Sequence, residues 1–201
     1  MTTAISAKDV ATLRAQTGAG MMDCKKALVE AGGDFQKAQE ILRQKGLKSA
    51  EKKSSRSTSE GAVYSYIHHN QRVGVMVQIA CETDFVARGA DFEKLCSDLC
   101  MHIAATVPAP VAISAAEVPQ EMIDEERRVL LGSEDMANKP QEIKEKIVDG
   151  RIEKFIKERA LLEQEYVKDP AMTVNDRIKA AISMVGENMK IERFARFELG
   201  S

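Results

Sequence analysis

The sequence contains no tryptophan, few other aromatic residues and only three histidines. Aromatic residues make up 4% of the 201 positions, so the hydrophobic core must be aliphatic, with methionine filling its irregular gaps. So few histidines leave little room for a catalytic site built on imidazole groups. The formal net charge of −2 gives the chain no overall attraction to nucleic acid or to acidic membranes. With 44% apolar and 30% charged residues, the composition is that of a globular protein.

Long hydrophobic runs and targeting signals are also missing. No apolar run approaches the ~18–20 residues that a membrane-spanning helix needs. The N-terminus has no basic segment followed by an apolar block, so we expect no signal peptide. The four cysteines are scattered instead of forming a disulfide framework, which indicates a reducing compartment; they are Cys24, Cys81, Cys96 and Cys100. We therefore expect a cytoplasmic protein that does not bind membranes.

The motifs of common enzymes are absent as well. The chain has no G-x-x-x-x-G-K-[ST] loop and no G-x-G-x-x-G after a strand, so we expect no direct nucleotide binding. It has no H-E-x-x-H or G-x-S-x-G motif either. Cys96, Cys100 and His102 could form a metal or thiol site, but the usual C-x-x-C pair and second cluster are missing. We expect no metal and no cofactor, and a binding protein rather than an enzyme; a metal- or thiol-dependent enzyme built on these three residues is an alternative.

Capping signals divide the first quarter of the chain into three short helices. Ser6 and Asp9 resemble a capping box, Asp23 and Asp34 can cap the second and third helices, and Gly46 suits a left-handed residue at the end of the third. We predict a three-helix domain over residues 1–46. Residues 48–60 contain no large apolar side chain, which predicts a flexible linker over residues 47–60.

Residues 61–201 have the pattern of an α+β domain. The run Val73 to Cys81 alternates with period two and predicts the second strand of a β-hairpin. Adjacent His68 and His69 should point to opposite faces of the first strand, so they cannot easily share a metal. A continuous helical stripe begins at Phe92, and the tail 190–199 predicts a third strand. The fold class is therefore α+β, a helix-backed antiparallel three-stranded sheet preceded by the three-helix domain.

The segment CETDFVAR, residues 81–88, joins a predicted strand to a predicted helix. Asp84 could cap that helix while Phe85 packs back into the core; alternatively, both side chains face outward and contact a partner. Met21 and Met22 pose the same choice at a turn between helices. They could fill the core, or they could form a flexible contact surface.

Two long segments and the tail resemble a known family. Residues 17–28, TGAGMMDCKKAL, and residues 81–87, CETDFVA, closely resemble the signature segments of bacterial elongation factor Ts, and the ending RFELG is similar to that family's last core strand. The resemblance implies a ubiquitin-associated-like (UBA-like) head over residues 1–46. It also implies guanine-nucleotide exchange on elongation factor Tu, with a wedge inserted into the partner's G domain. The residues implied as contacts are Thr83, Asp84, Phe85, Val86, Arg14, Met21, Met22 and His102.

The length of the core implies a particular form of that family. Longer members have two core subdomains and a protruding helical hairpin, whereas residues 92–201 here are expected to run through a single core. This resembles the short form, which works as a homodimer through a shared sheet and helices. Phe194, an apolar residue on an otherwise polar strand face, would suit such an interface.

A second class of function depends on basic residues. Lys52, Lys53 and Arg56 in the linker could contact RNA, which would make the chain an RNA- or ribosome-associated module. Acidic neighbours, the lack of interleaved aromatic residues and a pI near 6.0 favour a solvated linker. We therefore expect no nucleic-acid partner.

Overall fold

The computed structural model describes residues 5–136 and 140–200. Its helices are α1 (Ala7–Thr17), α2 (Met21–Glu30), α3 (Phe35–Lys53), α4 (Asp84–Ala87), α5 (Ala90–Ala105), α6 (Gln120–Leu131), α7 (Gln141–Arg159) and α8 (Val174–Val185). Its strands are β1 (Glu60–Ile67), β2 (Val73–Cys81), β3 (Glu165–Tyr166), β4 (Asp169–Thr173) and β5 (Met189–Glu198).

The first three helices form around the predicted caps, with one exception. Ser6 and Asp9 make the reciprocal capping box of α1, and the Asp34 carboxylate accepts the Lys37 N–H at 3.1 Å. Asp23 lies inside the first turn of α2, and Gly20 takes the N-cap position instead. The three helices enclose a small apolar cluster made of Val10, Leu13, Cys24, Ala27, Leu28, Ala38 and Leu42.

Helix α3 continues seven residues beyond its predicted end, so the expectation of a flexible linker is wrong for residues 47–53. Alanine, leucine, lysine and glutamate dominate this stretch, and all four are strong helix formers. Gly46 is a helical residue whose missing side chain permits close packing, since a Cβ there would lie 3.3 Å from Ser183 Oγ of α8. Ala50, at the next turn, is buried. The low apolar content of residues 47–53 therefore belongs to a helix that packs along one edge only.

The main sheet has the predicted three strands in the order β1-β2-β5. The His68 N–H donates to the Val73 carbonyl at 2.8 Å and closes the hairpin, while the Leu199 N–H donates to the Arg72 carbonyl at 2.9 Å. The second bond places the end of β5 beside the start of β2, so these strands are antiparallel. The stripe predicted on α5 is buried throughout, and it comprises Phe92, Leu95, Cys96, Leu99, Cys100 and Ile103. The α+β class with a small antiparallel sheet is confirmed.

The sequence did not predict the second sheet or the packing of α6 against α7. Strands β3 and β4 form an antiparallel pair, and helices α6 and α7 pack side by side, with Arg127 and Asp149 joined at 2.7 Å. A helical pair is thus present in a chain expected to contain a single core only. None of the helices in residues 5–136 and 140–200 is long and apolar enough to cross a membrane.

Contacts divide the chain into two compact units. The first contains residues up to 63 together with 78–96 and 176–192, and the second contains 64–77, 97–175 and the residues from 193 onward. The division passes through all three strands of the main sheet. The domain boundaries expected after residues 46 and 60 do not coincide with this division. They stay predictions.

Candidate functional site

The segment after β2 turns sharply into a helix of a single turn, α4. Thr83 is the N-cap of this helix, and its Oγ1 accepts the Val86 N–H at 3.4 Å. Asp84 is therefore not the cap, although the interpretation with Phe85 in the core required it to be. Its carboxylate lies in solvent, where it pairs with Arg88 at 3.0 Å. Because both side chains are well exposed, this pair contributes little to stability.

Phe85 and Val86 have opposite environments although they are neighbours. The Phe85 side chain is 84% exposed, whereas Val86 is 7% exposed. Val86 thus anchors the helical turn, and Phe85 projects from it into solvent. The alternative in which Phe85 packs back into the core is excluded. Full burial of a phenylalanine would contribute about 1.5–3 kcal/mol, which remains available to a partner surface.

An open groove lies beside Phe85 within the first unit. It runs along the connection from α4 to α5, and its wall includes Asp84, Phe85, Arg88, Asp91, Phe92 and Val185. Phe92 itself is buried, so the floor of the groove belongs to the core while its rim carries charges of both signs.

Two residues that the sequence analysis missed hold this segment through hydrogen bonds. Glu187 accepts hydrogen bonds from Thr83, and the Asn188 N–H donates to Glu82 Oε1 at 2.6 Å. Both lie in the connection between α8 and β5, more than 100 positions along the chain. Nothing in the local sequence signals this pairing, because only the antiparallel course of β5 beside β2 brings the two connections together.

The predicted contact residues of the head are exposed. Met21 is 44% exposed and Met22 is 63% exposed, and Arg14 is exposed near the end of α1. Gly18 adopts a left-handed φ of 67°, and a Cβ there would lie 2.7 Å from Met184 Sδ. The turn that presents the methionines thus packs closely against Met184 of α8. These residues belong to the same compact unit as residues 83–86.

His102 does not meet the prediction of a partner contact, because it is fully buried in the second unit. Its Nε2–H donates to Gln164 Oε1 at 3.0 Å, and its Nδ1 accepts the Val167 N–H at 3.2 Å. These partners fix one neutral tautomer. Burial lowers the pKa of His102, against the opposing effect of the Gln164 hydrogen bond. The residue links α5 to both sides of β3, because Gln164 precedes that strand and Val167 follows it.

The remaining candidates for thiol or metal chemistry have structural roles. They are Cys96, Cys100, His68 and His69. Cys96 and Cys100 are fully buried, and burial raises the pKa of Cys100 to about 11, which disfavours a thiolate nucleophile. No group of three metal-ligating side chains occurs within the described ranges. His68 and His69 do not point to opposite faces, since their ring centroids are 4.2 Å apart. Strand β1 ends at Ile67, so the alternation of a strand no longer applies to them.

Comparison with known proteins agrees with this geometry. A sequence model of the family described as Elongation factor TS matches residues 7–201. The chain is 52% identical to a chloroplastic elongation factor Ts of Rhodomonas salina, covering 100% of this chain and 91% of the relative. It is 53% identical to an elongation factor Ts of a Synechocystis species, covering 98% and 89%. Its identity to the elongation factor Ts of Synechococcus elongatus is 54%, over 98% and 88% of the two chains.

Proposed function

Because the chain belongs to the elongation factor Ts family, we infer that it is a translation elongation factor that promotes GDP release and guanine-nucleotide exchange on elongation factor Tu. It does so as a binding protein, with no covalent step of its own. The observation that carries this function to particular residues is the exposure of Phe85 on a helical turn anchored by Val86.

We propose that Phe85 acts as a wedge in the G domain of elongation factor Tu. A G protein holds its nucleotide through backbone amides around the phosphates and through a magnesium ion that bridges phosphate oxygens. An inserted phenyl ring displaces the elements that carry these groups and so weakens nucleotide binding. By reciprocity, nucleotide binding weakens the attachment of the factor, so GTP releases it for another cycle.

The contact surface extends from the wedge to the head. Asp84 and Phe85 form its centre, and Thr83 lies at its edge. Arg14, Met21 and Met22, all exposed, form a second part in the three-helix head, which we propose to be UBA-like. Methionine suits such a surface because its flexible thioether adapts to a partner. Val86 is buried and therefore anchors the wedge instead of touching the partner.

We propose that the protein is a homodimer that uses the face of the main sheet. Large apolar side chains are exposed at the hairpin end of the second unit, namely Ile67, Met76, Phe197 and Leu199. Such a cluster is costly to leave in water. Phe194, the interface residue expected from sequence, is half-buried and shares its side of β5 with Arg196, whose Nε–H donates to the Ile103 carbonyl at 3.2 Å. The opposite side of β5 therefore takes its place.

The site of action is expected to be the compartment in which elongation factor Tu works. Free cysteines at all four positions suit a reducing environment. We propose the cytoplasm; the likeness to a chloroplastic relative makes an organelle stroma the other candidate.

The function is tested by the release of a fluorescent GDP analogue from elongation factor Tu. We expect substoichiometric amounts of the native chain to accelerate release, because each molecule is recycled by incoming nucleotide. No acceleration at any concentration would contradict the function. Salt-dependent RNA binding found in its place would support the RNA-associated alternative.

A further inference from the structure

The carboxylate of Glu187, which lies outside the segment that carries Phe85, binds the N-cap residue Thr83. Glu187 lies between α8 and β5, directly after Gly186, which adopts a left-handed φ of 92°. The Thr83 N–H donates to Glu187 Oε2 at 3.0 Å, and the Thr83 hydroxyl donates to Glu187 Oε1 at 2.7 Å. Both oxygens of one carboxylate are thus committed to one residue, through hydrogen bonds strengthened by charge.

These hydrogen bonds determine where the Thr83 hydroxyl directs its hydrogen. A hydroxyl has one hydrogen, and in Thr83 that hydrogen is directed to Glu187. The lone pairs of Oγ1 are therefore free to accept the Val86 N–H and cap α4. Removing the carboxylate would leave the Thr83 N–H without this acceptor and would free the hydroxyl to rotate away from the cap.

The next residue along the chain makes a second attachment. The Asn188 N–H donates to Glu82 Oε1 at 2.6 Å, and the Asn188 side chain donates to the carbonyls of Ser54 at 3.2 Å and Arg56 at 2.9 Å. Consecutive residues 187 and 188 therefore hold consecutive residues 83 and 82. Two adjacent attachments fix an orientation, whereas one would allow the segment to pivot.

We propose that Glu187 is a positioning residue for the wedge, which it holds ready before a partner arrives. By fixing Thr83, it fixes the cap and the first turn of α4, and so the direction in which Phe85 projects. The ordering of the segment is then completed during folding, which lowers the entropy cost of association. Its consequence for nucleotide exchange rests on the proposed function, but its effect on the order of Phe85 does not.

The order of the wedge can be measured directly because the sequence contains no tryptophan. A Phe85→Trp variant carries a single indole at the tip of the wedge, whose nanosecond fluorescence anisotropy reports its mobility. In this background we expect Glu187→Ala to lower the anisotropy clearly and Glu187→Gln, which keeps one acceptor oxygen, to lower it less. Glu163→Gln, a change at an exposed glutamate of the second unit, should leave it unchanged. Equal anisotropy with and without the Glu187 carboxylate would overturn the proposal.

The exchange assay gives the second readout, with Phe85 retained. We expect Glu187→Ala to raise the half-saturating concentration of the factor about tenfold, which corresponds to about 1.4 kcal/mol of binding free energy, and to affect the maximal rate of GDP release less. A purely structural role would lower the thermal midpoint and leave the half-saturating concentration of the folded protein unchanged, which would also contradict the proposal. If the native chain gives no exchange, the proposed function fails, while the anisotropy still decides the positioning role.

Discussion

At the scale of single residues, adjacent positions in α4 have opposite environments. Val86 is buried, and Phe85 is almost fully exposed. The sequence offered two interpretations of Phe85: burial behind a cap at Asp84, or projection toward a partner. The structure gives the cap to Thr83 instead. Because successive helical residues point about 100° apart, the turn that buries Val86 directs Phe85 into solvent.

The pair gives a matched test of stability. Val86→Ala should lower the free energy of unfolding by about 2 kcal/mol, because it removes buried methyl groups. Phe85→Ala should change it by less than about 0.5 kcal/mol, as expected of an exposed position. Urea unfolding followed by circular dichroism measures both. A larger loss for Phe85→Ala than for Val86→Ala would contradict the assignment.

His102 predicts a dependence of stability on pH. Burial lowers its pKa in the folded state below the ordinary histidine value of 6.5, so the unfolded chain binds a proton more readily. The contribution of the neutral imidazole is complete above pH 6.5 and is lost as the pH falls through the lower, folded-state pKa. We expect His102→Asn to flatten the slope of unfolding free energy between pH 5 and 7. Identical slopes in the native and variant proteins would refute this origin.

At the scale of elements, periodicity succeeded where an element buries one complete face. The apolar stripe of α5 and the alternating apolar residues of β2 face the core as predicted. Burial of one whole face is what imposes such a period on the sequence. The extension of α3 escaped prediction, since Ala50 is its one fully buried side chain beyond Gly46. Strand β3 has only two residues, too few to show any period.

Glycines provide a matched test of two elements. Gly61 in β1 has a φ of 145°, and a Cβ there would lie 2.2 Å from the Ile79 carbonyl oxygen. Gly61→Ala should therefore destabilise the protein by about 3 kcal/mol. Gly150 lies inside α7 with nothing within 4 Å of its added Cβ, so Gly150→Ala should stabilise by about 1 kcal/mol. Thermal unfolding of both variants measures the difference, and equal shifts would contradict the local geometry.

At the scale of the whole molecule, the sequence identified the family but not its internal supports. The segments at residues 17–28 and 81–87 carried the resemblance, and their exposed methionines and Phe85 suit the contact roles that it implied. The burial of His102 and the support from Glu187 depend on pairs 62 and 104 positions apart in sequence. Such long-range pairs leave no local period or motif that a sequence analysis could detect.

The proposed dimer is also a property of the whole molecule. Phe197→Asp places a charge on the exposed sheet face and should lower the mass measured by analytical ultracentrifugation from dimer to monomer. Val129→Asp, at a position of α6 with similar exposure (64% against 69%), serves as the control and should leave the mass unchanged. A monomeric native protein, or a Phe197→Asp variant that stays dimeric, would contradict the proposed interface.

The central claim is that Phe85 drives nucleotide release, and stopped-flow release of a fluorescent GDP analogue from elongation factor Tu tests it most directly. The native chain, Phe85→Ala and the control Val107→Ala, whose residue is 90% exposed in the second unit, would be compared at equal concentrations. We predict that Phe85→Ala loses roughly 30-fold of the acceleration, the effect typical of a central hot-spot residue, while Val107→Ala retains it. Full acceleration by Phe85→Ala would contradict the wedge.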